Sequence, residues 1–151
     1  MDQEAVHTAM EESLVLRQGT DTKHGGEACH KFSMDFLGEL GFPKDVFPLK
    51  DLEECGRIHE TGFVWMKRKT SSEHYFKGTG TRVSYAPEVT AYVEKNKMKR
   101  IVGIKCRQMM LWLPITEMSI EDSDAKRIYV KTSLGIGRSF PFSAFQNDDE
   151  F

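Results

Sequence analysis

The chain has 151 residues, 39% of them hydrophobic, and a formal net charge of −2 at pH 7. A chain of this length typically buries about 70% of its unfolded surface, so it can fold as one domain without disulfides or a structural metal. The acidic stretch 1–18 lacks the basic and then apolar layout of a signal peptide, and no apolar run reaches the roughly 20 residues that span a bilayer. We therefore expect a cytoplasmic monomer, with peripheral membrane association as the alternative location.

Helical periodicity occurs twice in the amino-terminal third of the chain. Apolar residues recur at every fourth position in 3–17, which predicts an amphipathic helix, and the Gly, Thr and Asp content of 18–26 predicts a linker. The pattern is stronger in 27–40, where the apolar residues share one face, Glu27 suits the first turn and Gly41 suits the end. The predicted organisation is a helical extension with linker at 1–26, a β-rich domain at 27–147 and an acidic tail at 148–151.

Beyond the second helix the apolar pattern changes to a period of two, with turn residues between short runs. Strands are predicted at 54–59, 63–69, 73–77, 81–85, 88–95, 99–104, 105–120 with a break at Pro114, and 127–132, with a last extended piece at 139–145. Turns are predicted at 60–62, 95–97 and 122–125. The fold class is mainly β with an amino-terminal helix. We expect an antiparallel meander that closes into a small β-barrel or forms a strongly curved sheet, with the helix packed on or across it.

The stretch 103–121 is the most informative of the predicted strands. Its even-numbered residues are mostly apolar throughout, whereas its odd-numbered residues are apolar only from Met109 to Ile115. Because side chains alternate between the two faces of a strand, one face is predicted to be core and the other to carry an apolar patch. We expect the helix at 27–40 to cover that patch, so that any ligand site lies on the even face around Trp112 and in the barrel interior.

Charge is distributed unevenly along the chain. Residues 57–107 contain 12 basic and 4 acidic residues, and the segments on either side are acidic. Such a basic segment indicates either an anionic partner or packing against acidic elements of the same chain. The candidate anionic-partner patch consists of Lys95, Lys97, Lys99 and Arg100. Tyr92 and Trp112 lie near it in sequence, but the same lysine spacing is typical of a solvated hairpin face, so we do not expect nucleic-acid binding.

Motifs for catalysis or metal binding are scarce. The cysteines Cys29, Cys55 and Cys106 have no zinc-site spacing and are predicted to be reduced and buried. The sequence contains neither a Gly-x-Ser-x-Gly elbow nor a complete phosphate-binding loop. His59 and His74 are the only candidates for a general base, and each has an acidic neighbour that would point to the opposite face of a strand. We therefore expect no enzyme activity, no cofactor and no metal. The alternative, which ranks third among the hypotheses for function, is a hydrolase with an unfamiliar site.

Residues 27–145 resemble the plant domain of unknown function 538. The resemblance depends on short motifs in a fixed order, namely 41–43, 46–52, 53–56, 60–65, 83–85, 88–91, Gly103 before Lys105, 111–113, 139–141 and 144–145. The chain departs from the family pattern at Asp45, where the family usually has Gly, at Arg57, where an aromatic is common, and at Gln108, where an acid is common.

The resemblance implies a plant protein with a small β-barrel-like fold preceded by a helix, and it supplies no catalytic residues. The family has been likened to lipid-binding proteins of the bactericidal permeability-increasing type and linked to growth, trichome and stress phenotypes. Together with the two-faced strand, this implies a binding protein for an apolar or lipid-like molecule, with Trp65, Met110 and Trp112 as ligand-binding candidates and Met109, Leu111 and Leu113 as further linings. The second hypothesis is a regulatory module that binds a protein partner or an anionic membrane through the basic patch.

Overall fold

The computed structural model describes residues 21–122 and 126–146, and it consists of one antiparallel sheet, one α-helix and two short 3-10 turns. The strands are β1 (Asp21–His24), β2 (Glu54–Ile58), β3 (Phe63–Lys67), β4 (Ser72–Phe76), β5 (Thr81–Glu94), β6 (Lys97–Gln108), β7 (Leu111–Asp122), β8 (Arg127–Thr132) and β9 (Gly137–Pro141). The helix α1 spans Gly26–Leu40, and the 3-10 turns span Lys44–Val46 and Phe142–Phe145. The predicted mainly β class with a helix near the amino terminus is confirmed.

Strands follow one another in the sheet in the order β1-β2-β3-β5-β6-β7-β8-β9, and β4 pairs with β5 alone. No pairing joins β1 or β4 to β9 within the described ranges, so the predicted closed barrel is wrong. The physical reason lies at the end of β9, where Pro141 has no backbone N–H to offer a further strand and the chain turns into a 3-10 helix. Aromatic side chains bridge the gap instead, since Phe145 lies 5.5 Å from Phe76 of β4 and 6.0 Å from Phe140 of β9, between ring centroids.

A bend in β5 divides the sheet into two halves. The segment from Tyr85 to Thr90 faces the shorter segment from Val102 to Ile104 of β6, so β5 bulges there. The bulge requires Gly103, which has φ of 100°, because a Cβ at this position would lie 2.5 Å from the carbonyl oxygen of Glu88. We call β1–β3, 88–94 of β5 and 97–102 of β6 the helix-covered half. We call β4, 81–85 of β5, 103–108 of β6, 111–116 of β7, β8 and β9 the pocket half.

The Arg68 side chain holds the bend in β5 from the edge of β5 opposite to β6. Its guanidinium donates hydrogen bonds to the carbonyl oxygens of Tyr85 (3.2 Å) and Ala86 (3.3 Å) and to the hydroxyl of Ser72 (2.9 Å). The side chain is buried, and burial lowers the pKa of its guanidinium. A buried cation that is satisfied by carbonyl groups in this way is a structural clamp between β3, β4 and β5.

In the helix-covered half, α1 lies across the sheet and fills the space above it. Its buried residues Cys29, Phe36, Leu37 and Leu40 join one core with apolar side chains of β2, β3, β5 and β6. The helix ends as predicted at Gly41, which has φ of 90°, and the carbonyl of Leu40 accepts a hydrogen bond from Asn96 in the β5–β6 turn.

A salt bridge and a ring contact add to this packing. The Arg57 guanidinium donates to the Glu39 carboxylate at 2.7 Å and lies 5.9 Å from the Phe36 ring. This hydrogen bond, with the charge of Arg57, holds the pKa of Glu39 below its ordinary value. Arg57 therefore joins the helix to β2.

Several predicted boundaries differ from the structure. Residues Asp21–His24, predicted as linker, form β1 and pair with β2, because backbone hydrogen bonds to a free edge need no particular side chains. The two strands predicted at 81–85 and 88–95 are one bent strand. The last extended piece ends at Pro141 rather than Phe145. The helix predicted at 3–17 and most of the turn predicted at 122–125 lie outside the described residues.

The largest difference concerns the strand predicted at 105–120. The chain does not continue straight with a break at Pro114 but reverses at Met109 and Met110, where Met109 has φ of 56°, so that Gln108 pairs with Leu111. A straight apolar run gives no period-based signal for such a turn, and neither methionine is a typical turn residue. The reversal exchanges the two faces, because Arg107 now faces Trp112 and Cys106 faces Leu113. The prediction that α1 covers the patch is also wrong, since the side chains of Met109 and Leu111 are 94% and 64% exposed.

Candidate apolar pocket

The concave face of the pocket half carries an apolar pocket. Its floor is formed by consecutive strands of the sheet, with Val83 from β5, Ile104 and Cys106 from β6, Ile115 from β7 and Val130 from β8. These side chains share the face because they alternate with outward residues such as Arg82, Lys105 and Arg107, which the exposure pattern places in solvent.

Two short non-strand segments form the cover of the pocket. The loop after α1 contributes Val46 and Phe47, and the carbonyl of Val46 accepts a hydrogen bond from the Tyr85 hydroxyl at 3.4 Å. Burial raises the pKa of that hydroxyl well above its ordinary value, so Tyr85 stays neutral and keeps its proton for this bond. The carboxyl-terminal 3-10 turn contributes Phe145, which packs between Phe76 and Phe140. No α-helix covers this half in the part of the chain that the structure describes.

The pocket opens at the end of the sheet where alternate hairpins turn. Thr79 of the β4–β5 turn, Gln108 at the end of β6 and Ile136 of the β8–β9 turn all contribute to its lining. Arg138 is the only charged lining residue within 21–122 and 126–146, and its guanidinium lies 5.1 Å from the Phe140 ring centroid. The non-atom space is ≈ 630 Å³ with the open mouth included, of which ≈ 60 Å³ admits the centre of a water molecule.

The arrangement can hold an apolar group but has few means for acid–base chemistry. Neither a carboxylate nor an imidazole lines the pocket among the described residues. Cys106 is its only thiol, and burial raises the pKa of that thiol, which keeps it in the protonated, weakly nucleophilic form.

Two wider grooves on the surface are polar. One, of ≈ 430 Å³, lies between α1 and β2 around Arg57, and the other, of ≈ 590 Å³, lies beside the Arg68 clamp. Their central cations are the two arginines whose hydrogen bonds hold α1 and the β5 bend in place. We therefore assign these grooves a structural role and take the apolar pocket as the candidate site.

Trp65, predicted as a ligand-binding residue, lies in the helix-covered half. It is fully buried on the sheet face opposite α1, in a cluster with Ile58, Phe63 and Tyr92. Its indole N–H donates to the Glu54 carboxylate at 2.9 Å. Trp65 thus packs in a second, smaller core and does not line the apolar pocket.

Met110 and Trp112, the other predicted ligand residues, lie near the mouth but outside the lining. Met110 occupies the β6–β7 turn and is 82% exposed. Trp112 lies on the outer face, where the Arg107 guanidinium is 5.8 Å from its ring. The structure therefore does not bring Trp65, Met110 and Trp112 together in one site.

The predicted basic patch lies at the opposite end of the sheet, at the β5–β6 turn. Lys97 is 3.4 Å from the Glu117 carboxylate and Lys99 is 3.6 Å from that of Glu94, while Arg100 lies 5.5 Å from the Tyr92 ring. Lys95 is exposed in the turn. The role of these four residues in binding an anionic partner stays a prediction.

The candidate general bases do not share a site. His59 is exposed at the end of β2, and the His74 ring lies 4.6 Å from that of Phe76 in β4. Within 21–122 and 126–146 no group of three or more His, Cys, Asp or Glu side chains is placed to hold a metal ion. The three cysteines are free and buried, as predicted. In the same ranges no helix is long and apolar enough to cross a membrane.

None of the residues predicted to bind a ligand lines the pocket. Among the lining residues that were not predicted, Val46, Phe47, Ile136 and Phe145 lie outside the strands, and Arg138 and Phe140 lie in the short strand β9. One signal was present: Ile136 stands between Gly135 and Gly137 in a turn, and aromatic residues recur after the last strand. Apolar side chains in short irregular segments indicate that those segments cover a core.

Comparison with known proteins identifies a family for this chain. The model of the family described as "Protein of unknown function, DUF538" matches residues 33–146. No curated protein and no solved structure matches the chain.

Proposed function

The chain belongs to the DUF538 family, and we propose that it is a non-enzymatic binding protein that holds a lipid-like molecule in the apolar pocket. The carrying observation is the pocket's composition: aliphatic and aromatic side chains form its floor and cover, and one cation, Arg138, lies among them. Ligand sites of this kind are mostly apolar with a few placed polar groups.

The pocket's size limits how the ligand binds. A space of ≈ 60 Å³ for water-sized centres is several times what one water needs, but less than half of an engineered cavity of about 150 Å³ that holds benzene. A whole acyl chain therefore fits only if the cover moves. The loop with Val46 and Phe47 and the turn with Phe145 are the segments to move, because side-chain packing and few backbone bonds hold them, whereas the floor is a hydrogen-bonded sheet.

Arg138 defines the expected chemistry of the ligand. It is exposed, stacks on Phe140 and lines the apolar space, so a ligand with an apolar end and an anionic end can satisfy both environments. We expect a fatty acid to bind more tightly than the alcohol of equal chain length.

The test is ligand extraction combined with displacement. Purified protein is denatured, extracted and examined by mass spectrometry for bound lipid, and a fluorescent fatty acid is titrated into delipidated protein. Cys106→Leu adds two heavy atoms to the pocket floor and is expected to weaken probe binding at least about tenfold. Val102→Leu, on the exposed face of the same strand, is the matched control and is expected to bind like the wild type.

Two results would contradict the proposal. They are no extracted lipid together with no probe binding to the wild type, and unchanged probe binding by a folded Cys106→Leu variant. Equal affinity of the wild type for a fatty acid and its alcohol would contradict only the anionic end of the expected ligand.

The biological setting is a further part of the proposal. We place the binding protein in a plant, in growth, trichome or stress responses, because the sequence resemblance implies that setting, and the cytoplasm stays its expected location. The likeness to lipid-binding proteins of the bactericidal permeability-increasing type agrees with the apolar pocket in chemistry.

A further inference from the structure

Exposed apolar side chains concentrate at two hairpin turns. Seven large hydrophobic side chains are strongly exposed among the described residues, and five of them belong to these turns. Met109, Met110 and Leu111 form the tip of the β6–β7 hairpin, and Leu134 and Ile136 lie in the β8–β9 turn, with exposures of 62% to 94%. A monomeric protein rarely leaves apolar side chains concentrated and open in this way without a binding role.

Both turns lie at the same end of the sheet. Because consecutive strands from β4 to β9 are antiparallel, the β4–β5, β6–β7 and β8–β9 turns share one end, and the β5–β6 and β7–β8 turns share the other. The pocket lining includes a residue from each of the three hairpins, Thr79, Gln108 and Ile136. Both apolar tips therefore lie at the end of the sheet to which the pocket lining extends.

Basic side chains are numerous in the strands that lead to the tips. The segments 72–85, 103–116 and 130–140 contain six basic residues and one acidic residue. The basic residues are Lys77, Arg82, Lys105, Arg107, Lys131 and Arg138. Glu73, the acid in these segments, lies 3.7 Å from Arg82, and Glu117, the next residue of β7, lies opposite Lys131 in the β7–β8 register. This end thus has a strong positive excess, and its charge is complementary to an anionic surface.

We infer that this end of the sheet docks onto a membrane surface that contains anionic phospholipid. The tips of the β6–β7 and β8–β9 hairpins insert among the acyl chains at the interface, and the basic side chains behind them contact the lipid headgroups. The pocket mouth then faces the bilayer. Docking of the tips is independent of whether the pocket holds a ligand, so this inference goes beyond the proposed function.

The shape of the surface favours a bilayer over a rigid protein partner. The apolar side chains occupy two separate protruding tips rather than one flat face, and Met109 is almost free of contact with its own chain at 94% exposure. A fluid interface can surround each tip, whereas a stable protein–protein interface needs a continuous complementary area of about 800 Å² per partner.

The test measures binding of the full chain to sedimenting vesicles. Vesicles of phosphatidylcholine alone are compared with vesicles in which about one third of the lipid is phosphatidylserine, enough to give a negative surface potential. The wild type is expected to bind the anionic vesicles. Met110→Asp is expected to lose at least about tenfold in partitioning, because it places a charge at the inserted tip. Val102→Asp introduces the same charge at an exposed valine away from the tips and is expected to bind like the wild type.

The basic side chains are tested separately. Each Lys or Arg near an anionic surface contributes about fivefold, so the double variant Lys105→Gln, Arg107→Gln is expected to lose roughly 25-fold. Raising the salt to ~1 M, where the Debye length is about 3 Å, is expected to weaken wild-type binding in the same direction.

Insertion depth is read from tryptophan fluorescence. Trp112 is the second residue after Met110, whereas Trp65 is fully buried in the other half. With brominated lipid in the vesicles, Trp112 alone, in a Trp65→Phe variant, is expected to be quenched. Trp65 alone, in a Trp112→Phe variant, is expected to be unaffected.

Four outcomes would overturn the inference. These are no wild-type binding to anionic vesicles, unchanged binding by Met110→Asp, equal quenching of both tryptophans, and a wild-type dimer in solution that Met110→Asp converts to a monomer. The last would assign the tips to a second copy of the chain. Extraction of lipid from the pocket is a separate measurement, so failure of docking leaves the proposed ligand function to be judged by its own test.

Discussion

The helix-covered half and the pocket half of the sheet bury their concave faces by different means. Above the first, α1 supplies four buried apolar residues from one continuous element, and Leu37 reaches 0% exposure. Above the second, a loop with Val46 and Phe47 and a 3-10 turn with Phe145 supply the cover, and a pocket remains. Only β5 and β6 run through both halves, and the two halves differ in the element that covers them.

This difference has a consequence for stability and for binding. A helix packs a dense stripe of side chains and satisfies its own backbone, which makes the helix-covered half the stable part of the molecule. Short irregular segments bury less apolar area for each residue, so the pocket half is the part in which a ligand can displace the cover. The comparison can be tested by making the same change in each half.

The largest contrast is expected from truncating one leucine in each half. Leu37→Ala leaves a cavity beneath α1 and is expected to lower the free energy of unfolding by about 2–5 kcal/mol. Leu134→Ala makes the same chemical change at an exposed turn residue of the pocket half and is expected to cost less than about 0.5 kcal/mol. Urea denaturation of both variants measures the difference. Equal losses would show that Leu134 is packed and would remove it from the docking surface.

The junction of the two halves is the next target. Gly103→Ala forces a side chain into a left-handed backbone conformation and against the Glu88 carbonyl, so we expect a loss of about 3 kcal/mol. Gly135→Ala is the control, because Gly135 also has positive φ, 78°, but nothing lies near its missing Cβ. A loss of about 1 kcal/mol is expected there from backbone strain alone. If the two variants lost the same stability in thermal denaturation, contact with the β5 bulge would not be what requires Gly103.

The pH dependence of the free energy of unfolding at alkaline pH tests one buried thiol from each half. Burial, and for Cys55 the neighbouring Cys29 thiol, raises the pKa of Cys55 in the helix-covered half, and burial raises the pKa of Cys106 in the pocket half. A raised thiol pKa contributes stability that is fully present below the unfolded value of about 8.5 and is lost as pH rises above it, because only the unfolded chain releases the proton. The expected loss is about 1.4 kcal/mol per pH unit for each thiol that stays protonated in the folded state.

Urea denaturation between about pH 8 and pH 10 measures this slope. Cys55→Ala and Cys106→Ala each remove one thiol and are each expected to flatten it, apart from their own constant cost in stability. Two variants whose slopes equal that of the wild type would show that the thiols ionise in the folded protein. If only one variant had a flatter slope, the thiol removed in the other variant would be the one that ionises in the folded protein. Water would then enter the half that contains that other thiol.

The sequence predicted those elements whose local pattern agrees with their final burial. The helix at 27–40 has its apolar stripe, its acidic first turn and Gly41; in the structure the stripe is buried, Glu27 lies in the first turn and Gly41 ends the helix. The strand regions were also found, because inward residues such as Val83 and Ile104 alternate with polar ones. β1 was missed, since it forms by backbone pairing to a free edge and carries no period-two apolar pattern.

The candidate site could be predicted less well, for a reason that is specific to its residues. Pocket lining depends on which face each strand residue occupies, and the turn at Met109 and Met110 exchanged those faces without a glycine or proline to indicate it. Trp112 therefore moved to the outer face and Leu113 to the inner one. The cover depends on contacts between distant segments, such as the Tyr85 hydroxyl with the Val46 carbonyl, which no local pattern predicts.

The smallest predicted change in stability comes from adding one methylene group to each half, which tests whether the core of that half is already filled. Val130→Ile adds one methylene to a residue that lines the pocket, and Val93→Ile adds the same group to a buried core residue of the helix-covered half that does not line it. We expect Val130→Ile to raise the free energy of unfolding by about 0.5 kcal/mol, because the methylene occupies empty space. We expect Val93→Ile to lower it by about 1 kcal/mol, because a packed core must shift to accept the group. Opposite signs in urea denaturation support the comparison of the two halves, whereas a loss of stability in both would mean that the pocket half is packed as tightly as the other.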